Sequence, residues 1–297
     1  MPLFLLLSAL LGCNQEQEPG VVLDMNCQNN DMDACYQLGM QALVKARPDI
    51  RTARSLFAKG CNVHHARSCN GLAEMVRDAK GGPRDPKRAA ELFGIACEGG
   101  IQSACVELGM FTYDGVGVPQ DQERAVELFT KACDHEAEPQ PKACSALGVA
   151  WSDGKGVEKK DLDVAKQYFL KACDAEYAPA CVLAGLLVAE SRTGKRDENR
   201  AEAAGLLQRA CELDAHFGCF ELAVMHEKGE APDARDDKAA VYYQKTCNID
   251  PTRGCFEAAR LMEQGKVTAR DGEIESLYNL ACEHGHAEAC TKRSLEL

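Results

Sequence analysis

Small, large and polar positions recur along this chain with a period near 36 residues. Counting back from Cys61, Cys97, Cys133, Cys173, Cys211, Cys247 and Cys282, the eighth residue is Ala53, Ala89, Ala125, Ala165, Ala203, Ala239 or Ile274. The fourth is Phe57, Phe93, Phe129, Phe169, Leu207, Tyr243 or Tyr278, the fifth is Leu or Tyr throughout, and the first is Ala, Gly or Thr. Offsets of 0, 3, 4 and 7 describe one buried stripe of an α-helix. Twelve residues before the cysteine stands Asp49, Asp85, Asp121, Asp161 or Asn199, shifted by one to Asp236 and Asp271 in the last two units. Each is a predicted N-cap, because such side chains accept a bond from the unpaired first amides.

A second helix is predicted after each of Cys35, Cys69, Cys105, Cys144, Cys181, Cys219 and Cys255. Three residues on stand Leu38, Leu72, Leu108, Leu147, Ala184, Leu222 and Ala258, and four on there is always Gly or Ala. A small residue at one register position implies close approach of a neighbouring helix. Gly115, Gly154, Gly229 and Gly265, ten on, suit the stop of this helix. The chain thus reads as seven helix hairpins from Cys35 to about Ala289, with an incomplete lead and a short tail.

Of the 17 cysteines, sixteen form the series Cys27/Cys35, Cys61/Cys69, Cys97/Cys105, Cys133/Cys144, Cys173/Cys181, Cys211/Cys219, Cys247/Cys255 and Cys282/Cys290. Seven of these pairs are eight residues apart, and no Cys-x-x-Cys occurs, so an oxidising compartment is expected. Local pairing keeps a near-constant separation and leaves no thiol over. The rival joins the two ends of one hairpin, Cys35 to Cys61 and onward, and strands Cys27 and Cys290.

The stretches "CVELGMFTYDGVGVPQDQERAVELFTKAC" and "CSALGVAWSDGKGVEKKDLDVAKQYFLKAC" resemble the Sel-one-like repeat (SLR) family, a relative of the tetratricopeptide repeat, at LG, G-x-G-V and A-x-x-x-F-x-K-A-C. The paired cysteines narrow the resemblance to the cysteine-rich exported bacterial type. It implies an all-α fold, a right-handed α/α superhelical solenoid of about seven disulfide-linked helix hairpins, used mostly to bind proteins. The first and fifth hairpins lack the G-x-G-V turn, and the fifth to seventh lack its second Gly. Two alternatives come with the family: a weak β-lactam hydrolase or penicillin-binding protein, and an assembly factor like the cysteine-rich SLR protein of the mitochondrial intermembrane space.

Residues 3–11, "LFLLLSALL", are too short to span a bilayer but fit the apolar part of an export signal. "LLGC" resembles the bacterial lipobox, which implies lipid on Cys13, although no Lys or Arg precedes it. Residues 1–12 are therefore expected as a lipoprotein signal, 13–26 as a polar tether and 27–297 as the repeat solenoid. The expected location is the bacterial cell envelope, as a periplasmic or outer-membrane lipoprotein, with secretion as the alternative. A formal charge of −12, with both signs mixed, disfavours nucleic acid and leaves the membrane as a partner through the lipid only. The expected partner is another protein or an envelope component.

Catalytic and metal chemistry find little support. "SDGK", Ser152 to Lys155, is the only Ser-x-x-Lys, lies at an expected solvent-facing turn, and lacks the Ser-Asp-Asn and Lys-Thr-Gly partners of serine β-lactamases. His284 and His286 stand between Cys282 and Cys290, but the cysteine spacing does not suit zinc, so neither metal nor cofactor is expected. Six residues after the second cysteine come Gln41, Met75, Phe111, Ala150, Leu187, Met225 and Leu261, more apolar than an exposed face requires. With Trp151, the apolar members Met75, Phe111, Leu187, Met225 and Leu261 are candidate partner-binding residues, against the competing reading of burial between units.

Overall fold

The computed structural model describes residues 19–191 and 196–294 of the 297-residue chain. Sixteen helices and no strand occur among the described residues. A lead helix, α1 (Pro19–Gln28), precedes the hairpins α2 (Met32–Val44) with α3 (Ile50–Cys61), and α4 (Ala66–Arg77) with α5 (Pro86–Glu98). Next come α6 (Gln102–Asp114) and α7 (Gln122–Cys133), α8 (Pro141–Asp153) and α9 (Leu162–Asp174), and α10 (Ala178–Glu190) and α11 (Arg196–Glu212). The series ends with α12 (His216–Glu227) and α13 (Asp236–Ile249), α14 (Pro251–Glu263) and α15 (Glu273–Glu283), and the tail α16 (Ala287–Ser294).

The chain divides into two compact units. One holds the residues up to Phe111 with Gly115–Pro119, and the other holds Thr112–Asp114 and everything from Gln120 on. Residues 1–12, Cys13 and the first part of the expected tether lie outside the described residues. From Pro19 the expected tether is helical, because α1 carries Cys27 into the first bridge and packs Leu23 against Cys27 and Cys35.

Helix starts follow the aspartates in four hairpins. Asp49 accepts from the Thr52 amide, Asp85 from Arg88, Asp121 from Arg124, and Asp161 from Asp163 and Val164. The other three expected caps are displaced. Helix α11 begins at Arg196, so Asn199 lies inside it and its side chain donates to the Ser191 carbonyl at 3.4 Å. Arg235 holds the cap position of α13, which puts Asp236 in the first turn, where a carboxylate still suits the helix dipole. Gly272, with φ +74°, holds the cap position of α15 in place of Asp271. All three fall in hairpins without the complete G-x-G-V turn.

The small position and the large position of each hairpin explain one another. A Cβ built on Gly39 would sit 2.5 Å from the Phe57 ring, and one on Gly148 would sit 2.5 Å from the Phe169 ring. On Gly185 it would meet Leu207 at 2.9 Å. Phe57, Phe169 and Leu207 are buried. The aromatic or leucine four residues before one cysteine therefore packs on bare backbone of the partner helix, and the helices approach to the distance this allows. The second glycine of the turn has a different duty: a Cβ on Gly156 would collide with the Gln122 carbonyl at the start of α7.

Eight disulfides join the local pairs, Cys27–Cys35 through Cys282–Cys290, with Cα–Cα distances of 4.5–4.8 Å. Each joins the last turn of one helix to the first turn of the next, across the junction between consecutive hairpins.

These junctions have a backbone signature that the periodicity did not reveal. The third residue after the first cysteine is left-handed in six of them: Asn30, His64, Gly100, Glu176, Asp214 and Gly285, with φ between 59° and 96°. Its amide donates to the first cysteine's carbonyl, as in Glu176 to Cys173 at 2.9 Å, and the next amide reaches five residues back, as in Tyr177 to Ala172 at 3.1 Å. This is the Schellman ending of a helix, and it aims the chain into the next hairpin. The junction at Cys247 departs from it. There Asp250 is extended, with φ −126°, and caps α14 ahead of Pro251.

An exposed side chain held left-handed gains nothing from that conformation. Glu176→Gly is expected to raise stability by about 0.5 kcal/mol, the strain relieved less the added chain entropy of glycine. Asp250→Gly, at the extended junction, is expected to show no gain, with chemical denaturation as the measurement for both.

Candidate functional site

The positions six residues after the second cysteine divide by burial. Met75 (2% exposed), Phe111 (8%), Met225 (6%) and Leu261 (0%) are interior residues, as is Ala150, whereas Gln41 is exposed. Phe111 meets the Phe93 ring edge-on at 5.9 Å, and Met225 shares an apolar cluster with Val188, Leu207 and Leu222. These four candidates are thus corrected from recognition stripe to core, because the register that aims them at the facing helix leaves no side open to a partner. Leu187 and Trp151 are half-buried, and both pack on the cluster around Phe169.

Leu187 has a second role, lining a groove of about 610 Å³ in the second unit. Its walls are the first turn of α9 (Leu162, Asp163, Lys166), the last turn of α10 (Leu187, Val188, Glu190) with Ser191, and Asn199 of α11. The lining mixes apolar Leu162, Leu187 and Val188 with charged Asp163, Lys166 and Glu190. Leu162 is 45% exposed, and Lys166 is drawn to one side by Glu202 at 2.6 Å. Gly156 of the α8–α9 turn lies on the start of α7, one hairpin back. The groove opens beside the start of α9.

The Ser-x-x-Lys pair does not form a nucleophile and base. Ser152 lies in the last turn of α8, not in the expected turn, and donates to the Val149 carbonyl at 2.9 Å. Lys155 is exposed and pairs with Asp153 at 3.4 Å. Between Cys282 and Cys290 the thiols are consumed by the bridge, while His286 stacks on Phe256 at 4.0 Å and accepts from the Ala289 amide. No cluster of three metal-ligating side chains occurs among the described residues.

Polar partners inside the last two hairpins escaped the periodicity. Tyr243 donates to Glu227 at 3.0 Å, and Tyr278 to Glu263 at 2.9 Å. Burial pushes both phenols well above their ordinary range, and the neighbouring carboxylates push the same way. Burial also pushes the Glu227 carboxyl up, but Arg260, Tyr243 and Lys266 outweigh it and hold the group below its ordinary value. The signal was available: tyrosine replaces phenylalanine four residues before Cys247 and Cys282, and glutamate stands eight after the preceding cysteine, at Glu227 and Glu263.

Repeats matching the Sel1 repeat model cover residues 33–63, 66–101, 102–136, 141–177, 178–214 and 216–248. The chain belongs to the Sel1 repeat family. Each matched repeat spans one of the first six hairpins, and α14–α15 continues the pattern beyond them. The fold is shared with c5321, a protective antigen present in uropathogenic Escherichia coli strains and displaying an SLR fold. The TM-score is 0.75 at 18% identity, over 92% of this chain and 58% of that one. It is shared too with a Sel1 repeat protein from Oxalobacter formigenes, with TM-score 0.68 at 20% identity, over 86% and 98% of the two chains. Among curated proteins, cytochrome c oxidase assembly factor 7A of Xenopus laevis is 29% identical over 99 residues, 33% of this chain and 42% of the relative. Cytochrome c oxidase assembly factor 7 of Danio rerio is 30% identical over 97 residues, again 42% of its length. This chain thus spans less than half the length of the curated relatives it matches. Sel1 repeat proteins generally bind other proteins, and the present chain is a scaffold of that type.

Burial decides how substitutions in the two sets behave. Phe111→Glu and Met225→Glu are expected to cost about 3 kcal/mol or more, since each puts a charge in the core. Leu162→Glu, on the groove, is expected to stay within about 0.5 kcal/mol of wild type. Thermal and denaturant melts of the three variants make the comparison.

Proposed function

We propose that the chain is an exported Sel1 repeat scaffold that binds a protein or another component of the bacterial envelope, and that lipid on Cys13 holds it at a membrane. The observation that carries this reading is the set of eight disulfides at the hairpin junctions. A bridge at every junction is a thiol pattern suited to an oxidising compartment and poorly suited to the reducing cytosol. The sequence "LLGC" ending at Cys13 supports the anchor, and the formal charge of −12 speaks against a bare anionic lipid surface as the means of attachment. No helix among the described residues is long and apolar enough to cross a membrane. The groove at α9, α10 and α11 is the accessible concave surface we assign to partner contact.

A second reading has an observation of its own. The match to the cytochrome c oxidase assembly factors supports a role in assembling another protein complex within an oxidising compartment. That reading needs no lipid on Cys13.

Detergent phase partitioning separates the two. Under the lipoprotein reading the wild type enters the detergent phase and Cys13→Ala stays aqueous, with the same melting temperature for both. If both stay aqueous, the anchor is refuted, and an unanchored secreted scaffold and the assembly reading remain.

A further inference from the structure

The seventh residue after the second cysteine is a core position. Ala42, Val76, Val188 and Met262 occupy it in four hairpins, and all are buried. In α12 the residue there is His226, 7% exposed. Its imidazole stacks on the Tyr242 ring of α13, with centroids 5.5 Å apart and planes 10° from parallel. Its Nδ1 is buried and has no hydrogen-bond partner. A titratable ring thus stands where the other hairpins place Ala, Val, Met, Trp or Thr, none of which can gain a proton.

We propose that His226 makes the α12–α13 hairpin acid-sensitive: neutral, it fills the core position, and protonated, it pries the two helices apart. The surroundings of the ring show why the charged form is poorly held. From the α12–α13 connection and the start of α13, Arg235 and Lys238 oppose a positive charge, while Asp233 and Asp237 favour it. Tyr242 already carries the Lys245 ammonium 5.5 Å from its ring centroid, so its π-face offers less to a second cation. From α11, Glu212 acts on the Tyr242 hydroxyl, and Arg200 is engaged by Glu230 at 3.0 Å. α10 contributes Val188 to an apolar cluster shared with α12. On α12 itself the neighbouring Glu227 is taken up by Arg260, Tyr243 and Lys266. The last turn of α12 does favour a cation through the helix dipole. That effect is small beside the burial of an imidazolium without a partner.

Burial, followed by the charge of Lys238, holds the His226 imidazole below its ordinary value of 6.5. A group whose folded pKa is depressed contributes stability that is present above the unfolded pKa and lost as pH falls through the folded one. The hairpin therefore keeps its packing above pH 6.5 and loosens below it. The device does not depend on which partner the scaffold binds or on whether Cys13 carries lipid.

Hydrogen exchange of the full chain, corrected for the intrinsic pH dependence of exchange, tests this. Opening of residues 216–249 is expected to increase about tenfold between pH 7.5 and pH 5 in wild type, and to stay flat in His226→Met and His226→Gln. An equal acid response in wild type and variants overturns the proposal, as does no response in any of them. If neither variant folds, NMR titration of the wild-type imidazole decides: a midpoint below 6.5 is expected, and one at or above 6.5 overturns the proposal.

Discussion

Each hairpin of this chain is handed to the next through a junction that does three things in about nine residues. In six of the eight a left-handed residue ends one helix, and in all of them the chain reverses and a disulfide ties the last turn behind it to the first turn ahead. In the chain-entropy model a loop of this length contributes about 2.5 kcal/mol per bridge by restricting the unfolded chain. That is large for a repeat protein, in which each unit touches only its neighbours and stability accumulates locally. Once the junction fixes the angle between consecutive helices, the packing of Phe57 on Gly39 and of Phe169 on Gly148 sets how closely the two helices of a hairpin meet.

The same register explains why the core accepts variation at some positions and not at others. Tyrosine stands in for phenylalanine at Tyr243 and Tyr278 because Glu227 and Glu263 meet the hydroxyls, so the added polar atom is not left unpaired. His226 is the exception, a titratable ring in the core with one nitrogen unmet. The groove beside α9 is lined by the start of that helix and the end of α10, where Leu162, Leu187 and Val188 meet charged neighbours.

Much of this was legible in the sequence because it is periodic. Hairpin number, helix phase, the aspartate caps at Asp49, Asp85, Asp121 and Asp161 and the local bridges all follow from counting offsets from the cysteines. What escaped depends on side-chain direction or on backbone angles. Counting could show that position six was apolar but not which way Met75 or Leu261 faced, and the facing helix buried them. It could not show that Glu176 and His64 share a backbone angle with Gly100, since nothing in their chemistry announces it. Asn199, Asp236 and Asp271 were misplaced as caps because a cap is set by where its helix begins, here at Arg196, Asp236 and Glu273.

The local bridge is the claim on which the rest stands, and peptide mapping under non-reducing conditions tests it most directly. The account predicts recovery of Cys61 linked to Cys69, Cys173 to Cys181 and the remaining local pairs, with no free thiol among the sixteen. Recovery of Cys35 linked to Cys61 or Cys69 to Cys97, bridges that span a hairpin, would contradict it.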